Sequence, residues 1–286
     1  MSVARIRRSQ LDGTWYPAKY KEVESVVKDW DPYIKSNPPK FQGQALSIIV
    51  PHAGWYYSGR LAAKTIYQAA ASLGPDGPAL VVVLGGHLTP GSPPVIFSDQ
   101  AWATPLGHIE IATELNEKIS ALNPRPWYGP SDDNTVEVQL PLLRLMCPKA
   151  KLWPLRLASG PGALRVGTIL AEMAESVNLL IVASTDLTHY GSAYGFAPAG
   201  GGQAGQDFRQ KNDQAFIEAA LKPDPNAMMD IGESNRAACS AGAAAAAAEA
   251  AKIYKAKAEL IDHYASSDIQ PGNQAVGYAG LIYWRA

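Results

Sequence analysis

The sequence is sparing with the residues that carry chemistry. It holds only two cysteines, Cys147 and Cys239, in 286 residues. Two cysteines cannot staple so long a chain, so a disulfide scaffold is excluded and both thiols are expected to be free, as in a reducing cytosol. An excess of charge of one sign is also missing. Twenty-five basic residues face 26 acidic ones, for a formal net charge of −1. Such balance gives no long-range pull toward nucleic acid or an anionic membrane, and neither partner is expected. Long apolar runs are absent as well. The longest reach about 8 to 10 residues, too few to span a bilayer. The opening MSVARIRRSQLDGTWYP is basic with no apolar run behind it, so no signal peptide is read there and a cytoplasmic location is expected. HExxH, CxxC and Walker A motifs are missing, and the glycine-rich loops do not match a dinucleotide fingerprint.

What is present suits a folded α/β chain. Hydrophobic residues make up 47% and charged residues 18%, ample for a sizeable core. The length suits one domain spanning 1–286. Five bare apolar runs read as strands buried on both faces: Ala45–Val50, Ala79–Leu84, Leu152–Leu157, Leu179–Ala183 and Ala275–Trp284. Helices are expected between them at Arg60–Leu73, Glu110–Leu122, Val136–Met146, Ala163–Ser176, Asp213–Leu221 and Ser240–Tyr254. The alternation predicts a central, mainly parallel or mixed sheet flanked by helices. Gly195–Gly205 reads as the most flexible loop, and the alanine-rich Ala241–Ala251 as a tightly packed helix.

Three of the five histidines follow strands directly: His52 in PHAGWYYSG, His87 in LGGH and His189 in STDLTHYG. Open α/β sheets bind ligands beyond the carboxyl ends of their strands. One histidine there is usually an ordinary loop residue; three at equivalent ends point to a site. Cys239 stands just before the alanine-rich helix, whose N-terminus favours thiolate, a metal ligand and a nucleophile. Cys147, among apolar neighbours, reads as core. Two imidazoles and one anion form a set that holds one face of a non-heme iron, and zinc fits equally by ligand type. His189 is the candidate acid/base. Asp186 beside it is either a group that orients a histidine or contacts substrate, or a helix N-cap. Tyr190 and Tyr264 are candidate phenol donors to a ligand, or core residues.

These segments, taken in order, resemble the Memo family, also called the AmmeMemoRadiSam system protein B family. The resemblance runs from LDGTWYPA (Leu11–Ala18) through PHAGWYYSG, LGGH, TPLG (Thr104–Gly107), EVQLPLL (Glu137–Leu143) and STDLTHYG to Cys239 and YASSD (Tyr264–Asp268). The family is similar in fold to class III extradiol dioxygenases of the LigB type, which bind non-heme Fe(II) through two histidines and a glutamate. The resemblance implies one metal ion, Fe(II) first with copper or zinc as alternatives, held by His52, His87 and Cys239, the thiolate replacing the carboxylate. It also implies His189 as acid/base, Asp186 and Cys239 beside it in catalysis, and Trp55, Tyr56, Asn134, Tyr190 and Tyr264 as substrate contacts. The expected activity is that of an iron oxygenase or oxidoreductase on a small substrate, aromatic ones included. The alternatives are a peptide- or protein-binding module using the same pocket, and a metal chaperone or redox protein. A radical-SAM partner is implied by the family name alone. The chain departs from the pattern at Asn134, where many relatives carry histidine, in the short GGH, and in the run Gly200–Gly202, a candidate lid.

Overall fold

The apolar runs buried on both faces organise the whole molecule. The structure is a computed structural model that describes residues 5–130 and 133–285. Residues 1–4 of the opening stretch, and Ser131 and Asp132 of the SDDNTVE segment, lie outside the described residues. The chain begins with β1 (Ile6–Arg7), α1 (Tyr20–Asp29) and the one-turn α2 (Asp31–Ile34). Next come β2 (Gln44–Val50), α3 (Arg60–Ala71) and β3 (Leu80–Gly85). Short strands follow: β4 (Val95–Phe97), β5 (Ala101–Thr104), β6 (Gly107–Glu110) and, after a 3-10 stretch at Thr113–Leu122, β7 (Arg125–Trp127). Then come α4 (Asn134–Glu137), α5 (Leu140–Met146), β8 (Lys151–Arg156), α6 (Pro161–Ala174), β9 (Leu179–Ser184) and β10 (His189–Tyr190). The last elements are α7 (Gly202–Leu221), α8 (Pro225–Ser234), α9 (Ala241–Ile253), β11 (Lys257–Ala265) and β12 (Ala275–Arg285).

The main sheet has nine strands in the order β10-β12-β2-β9-β3-β8-β4-β7, with β11 paired to β12. Its centre, β2-β9-β3-β8, is parallel. β12 joins β2, and β4 joins β8, in antiparallel fashion, so the sheet is mixed. All five predicted runs are strands of it. Along β3, Leu80, Val82 and Leu84 face one core while Val81 and Val83 face the other; β9 divides the same way. Each fully buried aliphatic chain of this kind contributes about 1.5–3 kcal/mol. The first core is closed by α6, α7, α8 and α9, the second by α1, α2, α3 and α5.

The alanine run has a packing reason. Nearly every side of α9 is buried, and a β-carbon on Gly167 of α6 would stand 3.2 Å from the Ala246 carbonyl carbon. Small side chains let α9 lie close to α6 and to the sheet, where the Ser47 hydroxyl donates to the Ala247 carbonyl at 3.0 Å. That position carries Cys239, two residues before the helix, to the sheet's rim.

Three helix expectations need correction, Val136–Met146 being broken into α4 and α5. Glu110–Leu122 is not one α-helix but the end of β6 followed by 3-10 turns. The helix read from Asp213 begins at Gly202, so the glycine-rich loop ends earlier than expected. Within that stretch Tyr190 donates its hydroxyl proton to the Gly200 carbonyl (2.8 Å) and accepts from the Ala199 amide (3.0 Å), pinning the run that read as a lid. Among the described residues no helix is long and apolar enough to cross a membrane.

Candidate metal centre

Three parallel strands deliver the site. β2 runs through Pro51 into His52, β3 through Gly86 into His87, and β9 into Thr185 and Asp186. The ligand atoms of His52, His87 and Cys239 lie within 4.8 Å of one another, a group that could hold a metal ion. The two imidazoles meet edge to face, with ring centroids 5.1 Å apart. His52 Nε2 is 3.1 Å from the Cys239 sulfur.

Each ligand is held by its own set of contacts. The His52 backbone N–H donates to Asp186 Oδ1 at 2.7 Å, and Ala53 N–H to the same oxygen at 3.2 Å. Asn134 Nδ2 donates to the His52 carbonyl at 2.8 Å. On the far side of the His52 ring, Nδ1 faces the Ser184 hydroxyl at 3.2 Å, which also accepts from Gln139 Nε2 at 3.0 Å. Cys239 is tied through its backbone: its N–H donates to the Asp186 carbonyl at 3.2 Å, beside an antiparallel bridge between Leu187 and Ala238. His87 takes a left-handed backbone, φ 55°, uncommon for a residue with a side chain. The preceding glycines make room for it. A β-carbon on Gly86 would stand 2.8 Å from the Ser240 Cα, and one on Gly85 2.9 Å from Val136 Cγ2.

The electrostatics favour a charged triad. Burial pushes the Cys239 thiol up, but His52, His87 and His189 outweigh it and hold the sulfur well below the ordinary thiol range. Burial disfavours the His87 imidazolium, yet hydrogen bonds to Asp133 and Cys239 raise it to about 10. His52 is likewise raised, Cys239 and Asp186 overcoming its burial. Cys147 shows the contrast. It is buried with no cation nearby, and burial alone pushes its thiol up to about 12.

The centre opens on a cavity of about 800 Å³ lined by His52, His87, Asn134, Asp186, His189, Tyr57, Tyr194, Tyr278 and the Gln270–Gln274 loop, among others. His189 Nδ1 lies 3.0 Å from the Leu187 carbonyl, which can only accept, so Nδ1 carries a proton donated there. Asp186 is buried and is no helix N-cap, since β10 rather than a helix follows it. It anchors the His52 turn, and its burial raises its own carboxyl.

The candidate substrate contacts separate. Asn134 lines the cavity. Trp55 does not; it packs between Tyr16 and Trp30 and donates Nε1–H to the Val138 carbonyl at 3.1 Å. Tyr56 is 71% exposed and lies outside the metal cavity. Tyr190 is buried with Phe196 and Phe208. Tyr264 donates to the Tyr57 carbonyl at 3.0 Å, one layer behind the wall. The supporting residues Asp133, Gln139, Arg156 and Ser184 were not read from the sequence. Gln139 lies inside EVQLPLL, where nothing in the sequence marks its role.

Fold and site together describe a mixed α/β protein with a candidate mononuclear His/His/Cys centre at the carboxyl ends of its parallel strands. The chain belongs to the Memo-like protein family, whose family model matches residues 7–282. It is 28% identical to a MEMO1 family protein of Archaeoglobus fulgidus over 97% of this chain and 99% of that one. Identity is 30% to a MEMO1 family protein of Methanopyrus kandleri, covering 98% and 99%, and 31% to one of Thermococcus kodakarensis, covering 98% and 100%. In fold it is similar to an uncharacterized protein of Escherichia coli K12, with TM-score 0.51 and 12% identity over 82% of this chain and 98% of that one.

Proposed function

We propose that the chain binds one metal ion, iron in first place, through His52, His87 and Cys239, and acts as a non-heme oxygenase or oxidoreductase on a small substrate, aromatic compounds included. The observation that carries this reading is the convergence of three ligand atoms within 4.8 Å, two of them on side chains, His52 and His87, that line an open cavity. The donor set fits the group. Two imidazoles and a thiolate suit iron, zinc or copper and not the hard cations magnesium or calcium. Both histidines have Nδ1 engaged by a partner behind them, Ser184 or Asp133, so each presents Nε2 to the ligand cluster.

An iron ion held there supplies open positions and redox chemistry for substrate and oxygen. The chain's own residues do the rest. Asp186 fixes the turn that aims His52. His189, with Nδ1–H fixed on the Leu187 carbonyl, takes or returns a proton at Nε2 on the cavity side. Tyr194 stands edge-on to that imidazole at 5.1 Å and limits its rotation. Tyr57, Tyr194 and Tyr278 supply flat walls against which a ring can lie. The resemblance of the family to class III extradiol dioxygenases, inferred from the sequence, makes aromatic compounds the first class to try.

The test is anaerobic reconstitution with Fe(II), followed by oxygen uptake on a panel of catechols and simpler phenols. The expected result is substrate-dependent uptake that falls by about 10²-fold or more in His189→Ala and vanishes in His52→Ala. Uptake unchanged by His52→Ala, or no retained iron, contradicts the proposal.

A further inference from the structure

The three ligand side chains are not equally secured. His52 is buried, and Cys239 is bridged through its backbone to the segment after β9. His87 alone has an exposed side chain, 37% accessible, on a left-handed backbone. Something must hold its ring, because an imidazole free to turn about two side-chain bonds presents Nε2 to the cluster only part of the time.

Two residues from different elements meet at that point. Arg156, the last residue of β8, donates Nε–H to the Gly86 carbonyl (2.9 Å) and Nη2–H to the His87 carbonyl (3.2 Å). The same Nη2 pairs with Asp133 Oδ2 at 3.0 Å. Asp133 Oδ2 in turn lies 3.1 Å from His87 Nδ1, while its Oδ1 caps α4 by accepting from the Thr135 N–H at 3.2 Å. Both side chains are only 10% exposed, so the pair is shielded from solvent. We propose that Arg156 and Asp133 form a clamp that fixes the backbone and the ring of His87 together, and that this clamp sets the affinity of the centre for its metal. The planar guanidinium is suited to this because one rigid fork reaches two carbonyls and a carboxylate at once. The carboxylate holds the proton on Nδ1 and leaves Nε2 as the ligating atom. The inference rests on the metal reading above and assigns positioning residues to it.

Asp133→Asn is the informative variant. Asparagine still caps α4 through its oxygen, so the helix start is preserved. Its amide N–H₂ cannot accept from the His87 Nδ1–H, so the ring loses the partner that fixes it. Arg156→Met removes the fork, and Arg156→Lys keeps the charge but can serve fewer of the three acceptors. Two readouts are needed on the full chain. The first is Co(II) titration followed by visible absorption. The second is the proton NMR signal of the His87 Nδ1–H in the metal-free protein, which Asp133 protects from exchange.

The expected result is Co(II) binding about tenfold to a hundredfold weaker in Asp133→Asn and Arg156→Met, with Arg156→Lys in between and the His87 signal lost in Asp133→Asn. Far-UV circular dichroism should stay that of the wild type. Unchanged Co(II) affinity in both strong variants overturns the clamp while leaving the metal reading intact. Failure of the wild type to take up Co(II), with the His87 signal still lost in the variant, overturns the metal reading and the clamp's role in affinity, and leaves only its hold on the ring.

Discussion

A thiolate facing two imidazolium rings ties the stability of the metal-free protein to pH in a definite way. His87 is raised from 6.5 to about 10, and Cys239 is lowered well below 9.0. The raised imidazoles contribute stability that is full below pH 6.5 and is lost as the pH rises, for His87 through about 10. The lowered thiol contributes stability that is full above 9.0 and is lost as the pH falls through its lowered value. Above 9.0 only the imidazolium contribution is still changing, so stability falls there. Denaturant unfolding of the metal-free protein from pH 5 to 10, wild type minus Cys239→Ser, should show a difference that falls above pH 9. A difference that rises steadily across the range contradicts the ion-paired centre. At this scale the His/His/Cys cluster was legible in the sequence, because a histidine directly after a buried strand stands at a predictable place. Asp133, Arg156, Ser184 and Gln139 were not. They come from three stretches, and only the tertiary arrangement brings Asp133 and Arg156 to His87, and Ser184 and Gln139 to the side of His52.

At the scale of elements, the GGH turn depends on how closely β3 approaches the start of α9. A methyl group on Gly86 would meet Ser240, and overpacking of this kind costs about 1–3 kcal/mol. Gly86→Ala should therefore destabilise the fold by that amount in denaturant unfolding. Its metal affinity should fall further than the stability loss requires, because His87 is pushed from Cys239. Stability and affinity both matching the wild type would show the fit to be looser than described. The five central strands could be read from the sequence because each is a run buried on both faces. β11 could not, since Lys257–Ala265 mixes charged and apolar residues and its pairing with β12 carries an irregularity between Leu260 and Asp262. The start of α7 was hidden by Gly202 and Gly205, which read as loop. Gly205 is there because a β-carbon would stand 2.7 Å from the Tyr190 ring.

Across the molecule, two motifs far apart in sequence explain each other. Glu137 of EVQLPLL is buried and accepts through one oxygen from the Gln10 and Leu11 amides and the Tyr16 hydroxyl, at 2.7, 2.8 and 2.9 Å. It thereby fastens the LDGTWYP segment, whose Trp15 carbonyl accepts from the Trp55 amide at 2.8 Å and whose Thr14 and Trp15 form part of the cavity rim. Glu137→Ala strands three donors and should cost about 3 kcal/mol or more in denaturant unfolding. A loss under about 0.5 kcal/mol would show that the segment is held by other means.

The central claim is that sulfur and two imidazoles share one ion. X-ray absorption at the metal edge of the iron- or cobalt-loaded protein tests it most directly. The account predicts one sulfur neighbour at about 2.3 Å together with imidazole scattering, and loss of the sulfur shell in Cys239→Ser. A coordination shell of nitrogen and oxygen alone in the wild type would contradict it.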